Sequence, residues 1–103
     1  MSVVNVFKRK NPPKSIEIFG QKIMVYYVPH LEMAEGSEIL GAWNMNSRSI
    51  YISKQASDWR YVLLHEIIHG ILALSGTDNG IKYANEEQIC QAIEIGLTPL
   101  ILS

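Results

Sequence analysis

The sequence predicts an α+β domain, in which an antiparallel or mixed sheet of about four strands packs on one buried helix and a C-terminal helix. Four short β-rich runs fall within residues 16–53, and two longer helical patterns follow them. The chain has 103 residues, of which 48% are hydrophobic, so one packed core is expected. We therefore predict a single domain over residues 15–103, preceded by a flexible lead-in at residues 1–14.

Two pairs of β-strands are predicted in the first half of the chain. Residues 16–19 and 22–28 form the first pair, and the longer of these runs alternates apolar with polar side chains. Residues 39–43 and 48–53 form the second pair, joined by a polar turn. Residues 30–38, between the pairs, are polar and acidic and contain a glycine, which indicates a loop or a short helical turn.

The first predicted helix begins at Ser57-Asp58 and ends near Ser75. Ser57 is the predicted N-cap, whose side-chain oxygen accepts a backbone N–H, and Asp58 is the predicted acid of the first turn, which matches the helix dipole. Apolar residues surround this helix almost completely, which indicates a central, buried element. They are Val62, Leu63, Leu64, Ile67, Ile68, Ile71, Leu72 and Leu74.

The second predicted helix covers about residues 85–101. Asn85, with Gln88 three positions later, resembles a capping box, and Pro99 suggests a kink or a late stop. An apolar stripe along this helix is expected to face the core. Its residues are Ile89, Ala92, Ile93, Gly96, Leu97 and Leu100.

The first helix carries the most informative motif, His65-Glu66-Ile67-Ile68-His69, which reads H-E-x-x-H. Residues four apart share one face of a helix, so both imidazoles can bind one metal ion, and the glutamate can reach a water there. Two imidazoles and a carboxylate in an otherwise apolar helix would be costly without such a partner. Imidazole nitrogen suits zinc, and three protein ligands leave a fourth position for water, so the motif predicts a zinc hydrolase.

A third protein ligand must come from elsewhere in the chain. Leu72 and Ser75 stand where sites reading H-E-x-x-H-x-x-G-x-x-H have glycine and histidine, which excludes that arrangement. No histidine follows the motif, and His30 is a distant option in a predicted surface loop. The two helices must pack antiparallel, which makes Glu86 or Glu87 a reasonable ligand, and Glu86 lies closer to the centre of the apolar stripe.

Composition argues against several classes of function. The formal net charge is −1, and the basic residues 8–10 with Lys14 are expected to form a solvated tail, so no nucleic-acid partner is predicted. The single cysteine, Cys90, rules out an intrachain disulfide and is expected to be a small buried apolar residue. No apolar run has the length of a signal peptide or a membrane span, so we expect a soluble, cytoplasmic protein without a membrane partner.

Four segments together form a wider pattern. They are Ile39-Leu40-Gly41, Ile50-Tyr51-Ile52, Leu63 through His69, and Glu86-Glu87 through Ile93, Gly96 and Leu97. With this pattern, residues 16–101 resemble the small zincin-like zinc metallopeptidases of phages and prophages. The sequence is more distantly similar to the ImmA-like repressor-cleaving peptidases, which share a glutamate third ligand in the helix after the motif.

The resemblance implies a zinc-dependent peptidase with a gluzincin-like ligand set. His65, His69 and Glu87 would bind Zn²⁺, and Glu66 would act as general base and then general acid. The family pattern places its ligand glutamate three residues before a small apolar residue and nine before a glycine. Both counts lead to Glu87 in this sequence, with Glu86 as the alternative ligand.

The resemblance also implies a substrate. It would be a peptide or an unstructured protein segment, added as a strand to the sheet edge, in the host cytoplasm if the protein is phage-encoded. Tyr83, Tyr26 and Tyr27 each carry a hydroxyl donor and are candidates for stabilising the transition state. The alternative is a non-catalytic, zinc-binding phage or host interaction protein. Glu66 favours the enzyme, because a purely structural zinc site has no use for a carboxylate beside its histidines.

Overall fold

Four strands form one mixed sheet, and two helices follow it in a computed structural model that describes residues 6–102. The elements are β1 (Ser15–Ile18), β2 (Gln21–Val28), β3 (Gly41–Asn44), β4 (Ser49–Ser53), α1 (Trp59–Leu74) and α2 (Tyr83–Ile101). The strand order is β1-β2-β4-β3; β2 and β4 run parallel, whereas both outer pairs are antiparallel. Helix α1 packs on β3 and β4, and α2 packs on α1. The predicted α+β class and four-stranded mixed sheet are therefore confirmed.

The turn between β1 and β2 is tighter and earlier than the sequence suggested. Ile18 pairs with Gln21, so only Phe19 and Gly20 lie in the loop. Both have a positive φ, 50° and 74°, which is the backbone of a two-residue hairpin turn that matches the twist of its strands. The predicted break at Gly20-Gln21 was one residue late.

The core lies between the sheet and α1. Alternate residues of β1 and β2 point into it, as a strand with one buried face requires. The fully or nearly fully buried side chains from the sheet and α1 are Ile16, Ile18, Ile23, Val25, Ile50, Ile52, Leu63, Leu64, Ile67 and Ile68. Val6 and Phe7 join the same core, and Phe7 stacks on Trp59 with ring centroids 6.4 Å apart.

The segment expected to be a flexible lead-in therefore contacts the domain over its described part. Besides Val6 and Phe7, the Tyr27 hydroxyl donates a 3.0 Å hydrogen bond to the carbonyl of Pro13. Residues 1–5 of that predicted lead-in lie outside the described residues.

Helix α1 begins one residue later than predicted, because Asp58 and not Ser57 is its N-cap and no acid lies in its first turn. The Asp58 side chain accepts a 3.0 Å hydrogen bond from the backbone N–H of Arg60. The helix is central but not buried on all sides, since Tyr61 and Ile71 are about two-fifths exposed. Its buried face comprises Leu63, Leu64, Glu66, Ile67, Ile68, His69 and Gly70.

Helix α2 differs from its prediction at its start and in the face that it buries. It begins at Tyr83 with Lys82 as N-cap and no side-chain cap, so the capping box at Asn85 is wrong. Ile89, Ile93 and Leu100 of the predicted buried stripe are exposed by 38%, 38% and 77%. Carboxylates of α2 bond to histidines of α1, and most of the predicted apolar stripe faces outward, whereas its residue Leu97 packs against the core. Within residues 6–102, no helix is both long and apolar enough to cross a membrane.

Candidate metal centre

Antiparallel packing of α1 and α2 brings two histidines and a glutamate together. One ligand atom from each of His65, His69 and Glu87 lies within 4.8 Å of the others. No other group of three or more potential metal ligands occurs in residues 6–102. These three residues can therefore hold a metal ion, as the H-E-x-x-H spacing predicted.

The spacing of the ligand atoms suits a small tetrahedral ion. Glu87 Oε1 lies 3.3 Å from His65 Nε2 and contacts His69 Nε2 more closely. Two ligands at zinc bond lengths of about 2.0–2.1 Å are about 3.3–3.4 Å apart in a tetrahedral site. The Glu87–His65 pair already has this separation, and the Glu87–His69 pair would have to open. Two imidazole nitrogens and one carboxylate oxygen are a donor set that zinc accepts.

The outer nitrogen of each imidazole is bound to a further carboxylate. His65 Nδ1 lies 2.8 Å from Glu94 Oε1, and His69 Nδ1 lies 2.9 Å from Glu86 Oε2. A carboxylate can only accept, so each neutral imidazole that donates from Nδ1 to its carboxylate would offer the Nε2 lone pair to a metal ion in place of the contact with Glu87. Both lone pairs then point at the position beside Glu87. Carboxylates that orient imidazoles in this way typically surround protein metal sites.

The structure distinguishes Glu87 from Glu86, the two acids that the sequence left open as the third metal ligand. Glu87 belongs to the three-residue group, whereas the alternative ligand Glu86 binds the outer nitrogen of His69. Sequence reasoning assigned no role to Glu94. It follows Glu87 by seven residues, or two helical turns, and this spacing could have placed it on the same face of α2. His30 lies outside the group, half-exposed between Glu32 and Glu38 at 3.6 and 3.8 Å.

Glu66 lies beside the group without belonging to it. It is only 6% exposed, and burial raises its pKa to about 7 although the neighbouring histidines oppose this shift. Strand β3 passes directly over it at Gly41. A Cβ on Gly41 would lie 2.4 Å from Val62 Cγ1 and 3.0 Å from Glu66 Oε2. Glycine at this position therefore lets the strand approach the carboxylate closely.

The electrostatics of the ligand group favour a positive charge on His65 and a negative charge on Glu87. Burial alone would lower the pKa of His65, but its hydrogen bond to Glu94 and the charge of Glu66 raise it above its usual value. Burial would likewise raise the pKa of Glu87, but hydrogen bonds from His65 and His69 lower it. Positive charge is thus stabilised at the place where a metal ion would sit.

Cys90 is buried next to this group, as predicted for a small apolar residue. Its sulfur lies 3.4 Å from His69 Nδ1, on the side of the ring that faces Glu86. Burial and the charges of Glu86 and Glu87 raise the pKa of the thiol to about 12. The thiol therefore stays protonated and packs against the histidine on the side away from Nε2.

An open cleft of about 670 Å³ leads to the group. Strand β3 lines one side with Gly41 and Trp43, and α1 contributes Tyr61 and Val62. Tyr83 lies at the other side, 64% exposed, with its ring parallel to that of His69 at a centroid distance of 6.4 Å. Of the three candidate tyrosines, only Tyr83 lines the cleft. Tyr27 bonds to Pro13 and Tyr26 packs on Tyr51.

The chain matches no protein-family model, no curated protein and no solved structure. Its resemblance to phage zincin-like peptidases thus stays a prediction from the motifs. The proposed function therefore rests on the motifs and on the geometry of the cleft and of the ligand group.

The rim of the cleft opposite α2 is a small ordered loop at residues 31–39. The N–H of Met33 donates to the Ser37 carbonyl at 2.8 Å, and that of Ile39 donates to the Leu31 carbonyl at 3.1 Å. Gly36 closes the tip with a φ of 92° and a 2.8 Å bond to the Met33 carbonyl. We call this segment the rim loop. Met33 and Ile39 line the cleft from it.

Proposed function

We propose that the protein is a zinc-dependent metallopeptidase. The observation that carries this proposal is the buried Glu66 carboxylate beside His65, His69 and Glu87 at the base of an open cleft. A structural metal site needs ligands but no additional buried carboxylate, and it is usually closed by four protein ligands. An open cleft and a three-residue group are what a hydrolytic site requires.

His65, His69 and Glu87 would hold the ion, with Glu86 and Glu94 fixing the two imidazoles. When bound, a zinc ion supplies a Lewis acid that polarises a carbonyl and lowers the pKa of a coordinated water towards about 7. Because Nδ1 of each ring is already committed to a carboxylate, Nε2 is the nitrogen that faces the ion in both histidines.

Glu66 is proposed as general base and acid. Its carboxylate accepts a proton from the attacking water and returns it to the leaving amine nitrogen of the cleaved peptide bond. Burial opposes ionisation and raises the pKa of Glu66 to about 7, whereas a bound cation would favour the carboxylate that acts as the base. Burial is the cause of that value, so the same packing that brings Gly41 close also tunes the base.

The substrate side of the cleft is formed by an outer strand. β3 pairs with β4 on one side only and lines the cleft with Gly41, Ala42 and Trp43. A free strand edge can bind an extended peptide through main-chain hydrogen bonds, so a peptide or an unstructured protein segment is the proposed substrate. The exposed Tyr83 hydroxyl is the proposed donor to the developing oxyanion. The proposed family is the phage and prophage zincin-like peptidases, acting in the host cytoplasm.

Replacing Glu66 by glutamine tests the proposal. Gln keeps the shape of the side chain but cannot accept a proton, so peptide hydrolysis should fall by roughly 10²–10⁴-fold while zinc binding persists. The measurements are hydrolysis of a peptide library and zinc content by elemental analysis. Glu17→Gln, on the opposite edge strand β1, is the matched control and should retain activity. A wild-type protein that binds no transition metal, or that cleaves no peptide with zinc bound, contradicts the proposal.

A second candidate function is zinc-dependent binding of a partner protein without catalysis. The exposed apolar side chains of α2 favour it, above all Ile95 and Leu100 at 74% and 77% exposure. Under this alternative, wild type and Glu66→Gln would bind zinc and a partner equally and neither would hydrolyse peptides. The buried Glu66 has no role in that case, which is why the peptidase is preferred.

A further inference from the structure

Large apolar and aromatic side chains gather around the mouth of the cleft. Met33, Leu40 and Tyr61 line it at 39%, 46% and 43% exposure, and Tyr83 lines it at 64%. Ile39 and Val62 continue this surface inward. Exposed apolar side chains that gather around one opening mark a place where another apolar group binds. A ligand that fills the cleft must therefore present a bulky apolar side chain to it.

The charged groups of the same lining are all acidic. Glu66, Glu86, Glu87 and Glu94 line the cleft, and no lysine or arginine among the described residues does. A single divalent ion would contribute +2 against four carboxylates, so the lining would keep a net charge of −2. An acidic side chain entering this space would meet like charge in a partly desolvated site.

The rim loop adds three more carboxylates beside the opening. Glu32, Glu35 and Glu38 are exposed there, and the backbones of Glu32 and Glu38 form an isolated antiparallel β-bridge within the loop. Glu35 lies in the turn at its tip, next to Gly36. Met33 and Ile39 of the same loop line the cleft, and exposed charges act over about 8–10 Å at physiological salt, so these carboxylates add to the negative potential at its mouth.

The formal net charge of −1 conceals a separation of charge along the chain. Residues 6–22 carry five basic groups and Glu17, a sum of +4, whereas residues 23–102 carry four basic and nine acidic groups, a sum of −5. The basic groups Arg9, Lys14 and Lys22 line a different depression, with residues of β1 at the far edge of the sheet. They therefore do not offset the acidic lining of the metal cleft.

From these observations we infer the substrate class of the cleft: an extended peptide with one bulky apolar side chain, flanked by lysine or arginine and free of acidic residues nearby. The inference rests on the proposed peptidase function, because the same cleft serves both. The apolar mouth selects the anchor, and the acidic lining and rim loop select the charge of its neighbours. Discrimination against acidic neighbours then arises from repulsion as well as from attraction of basic ones.

Peptide binding to zinc-loaded Glu66→Gln protein tests this without requiring hydrolysis. Three fluorescein-labelled peptides share a central leucine and differ only in flanking Lys, Gln or Glu residues, and a fourth replaces the leucine of the Lys peptide by alanine. Fluorescence anisotropy should give a dissociation constant at least tenfold lower for the Lys peptide than for the Glu peptide. The alanine peptide should bind at least about tenfold more weakly than the Lys peptide that keeps its leucine, as expected for a lost apolar anchor. Raising the salt concentration should reduce the difference in dissociation constant between the Lys and Glu peptides, but not the difference between the leucine and alanine peptides.

Two variants assign the effect to the proposed groups. Reversing charge in the rim loop with Glu32→Lys and Glu35→Lys together should reduce the Lys-over-Glu preference several-fold. Glu17→Lys makes the same kind of change on β1, at the opposite edge of the sheet, and should leave the preference unchanged. Leu40→Ser should weaken binding of the leucine peptide and bring it closer to the alanine peptide.

The outcomes separate this inference from the proposed function. Equal binding of Lys and Glu peptides, or no binding of any peptide, overturns the inference. Wild-type hydrolysis of library peptides without these preferences overturns it as well, while leaving the peptidase intact. Selective binding by the Glu66→Gln protein supports the inference even if wild type fails to hydrolyse the same peptides, a failure that would count against the peptidase alone.

Discussion

The two helices of this protein bury opposite kinds of residue. α1 is almost wholly apolar, yet its buried face includes the polar residues Glu66 and His69. α2 turns Glu86, Glu87 and Glu94 towards α1 and leaves isoleucines and leucine exposed on its outer side. Each helix thus departs from the rule that apolar residues lie inside. In both helices the polar residues that replace them lie at or beside the contact between α1 and α2.

The difference shows what orients α2. A buried imidazole without a partner would be costly, and a carboxylate from α2 removes that cost by accepting a hydrogen bond. His65 and His69 each receive such a partner at Nδ1, at 2.8 and 2.9 Å. Rotating α2 to bury its apolar stripe would break these bonds. The polar partners of α1 therefore determine which face of α2 is inside, at the expense of apolar burial.

Removing a histidine from α1 should have the largest effect on this arrangement. In His69→Ala the metal loses one of three proposed ligands, so zinc affinity should fall by more than the roughly 10–100-fold expected for an orienting partner. Competition with a chromophoric chelator measures this affinity, and peptide hydrolysis should disappear with it. Ile71→Ala, an exposed position of the same helix, is the control. Unchanged zinc affinity in His69→Ala would remove the basis of the proposed centre.

Truncating a buried apolar side chain of α1 should have the second-largest effect. Leu64 is 1% exposed within the core, and Leu64→Ala should lower the free energy of unfolding by about 2–5 kcal/mol. Urea denaturation of the zinc-loaded protein is the measurement. Zinc affinity of the fraction that stays folded should remain near wild type, since Leu64 contacts the core and not the ligand group. A loss below about 0.5 kcal/mol would mean that α1 is not the packed centre of the domain.

The sequence predicted local features well because they depend on neighbouring residues. Alternation in β2 and the H-E-x-x-H spacing are each decided by residues within one or two helical turns or strand steps, whereas the cap of α1 was predicted one residue early, at Ser57 instead of Asp58. The parallel pairing of β2 with β4 was not predicted, because it depends on how two hairpins meet in space. The zincin-like identity of the fold stays a prediction for the same reason, since no solved structure matches.

At the candidate site, periodicity of apolar residues pointed to the wrong face of α2. It placed Ile89, Ile93 and Leu100 inside, and all three are exposed. Hydrophobic patterning assumes that burial of apolar area dominates, and here pairing with the histidines competes with it. Helix packing left Glu86 and Glu87 open, only the family pattern favoured Glu87, and Glu94 was missed. A search for acids spaced by seven residues opposite the motif would have found both.

Removing an orienting carboxylate from α2 should have a moderate effect. Glu94→Ala and Glu86→Ala each leave one imidazole without its Nδ1 partner, and zinc affinity should fall about 10–100-fold in either variant. Glu87→Ala should lose more than either, because Glu87 is the proposed ligand. Chelator competition on the three variants gives the order directly. A larger loss in Glu86→Ala than in Glu87→Ala would exchange the roles proposed for these two residues.

The smallest effect is expected on the outer face of α2, and it is the sharpest test of the contrast between the helices. Leu100 is 77% exposed near the C-terminus of α2. Leucine and lysine have similar helix propensities, and a positive charge is favourable at a helix C-terminus. Leu100→Lys should therefore change the free energy of unfolding by no more than about 0.5 kcal/mol, against the 2–5 kcal/mol expected for Leu64→Ala. Urea denaturation measures both in parallel. A loss above about 1 kcal/mol would show that this apolar face is covered in solution, and the two helices would then bury apolar residues alike.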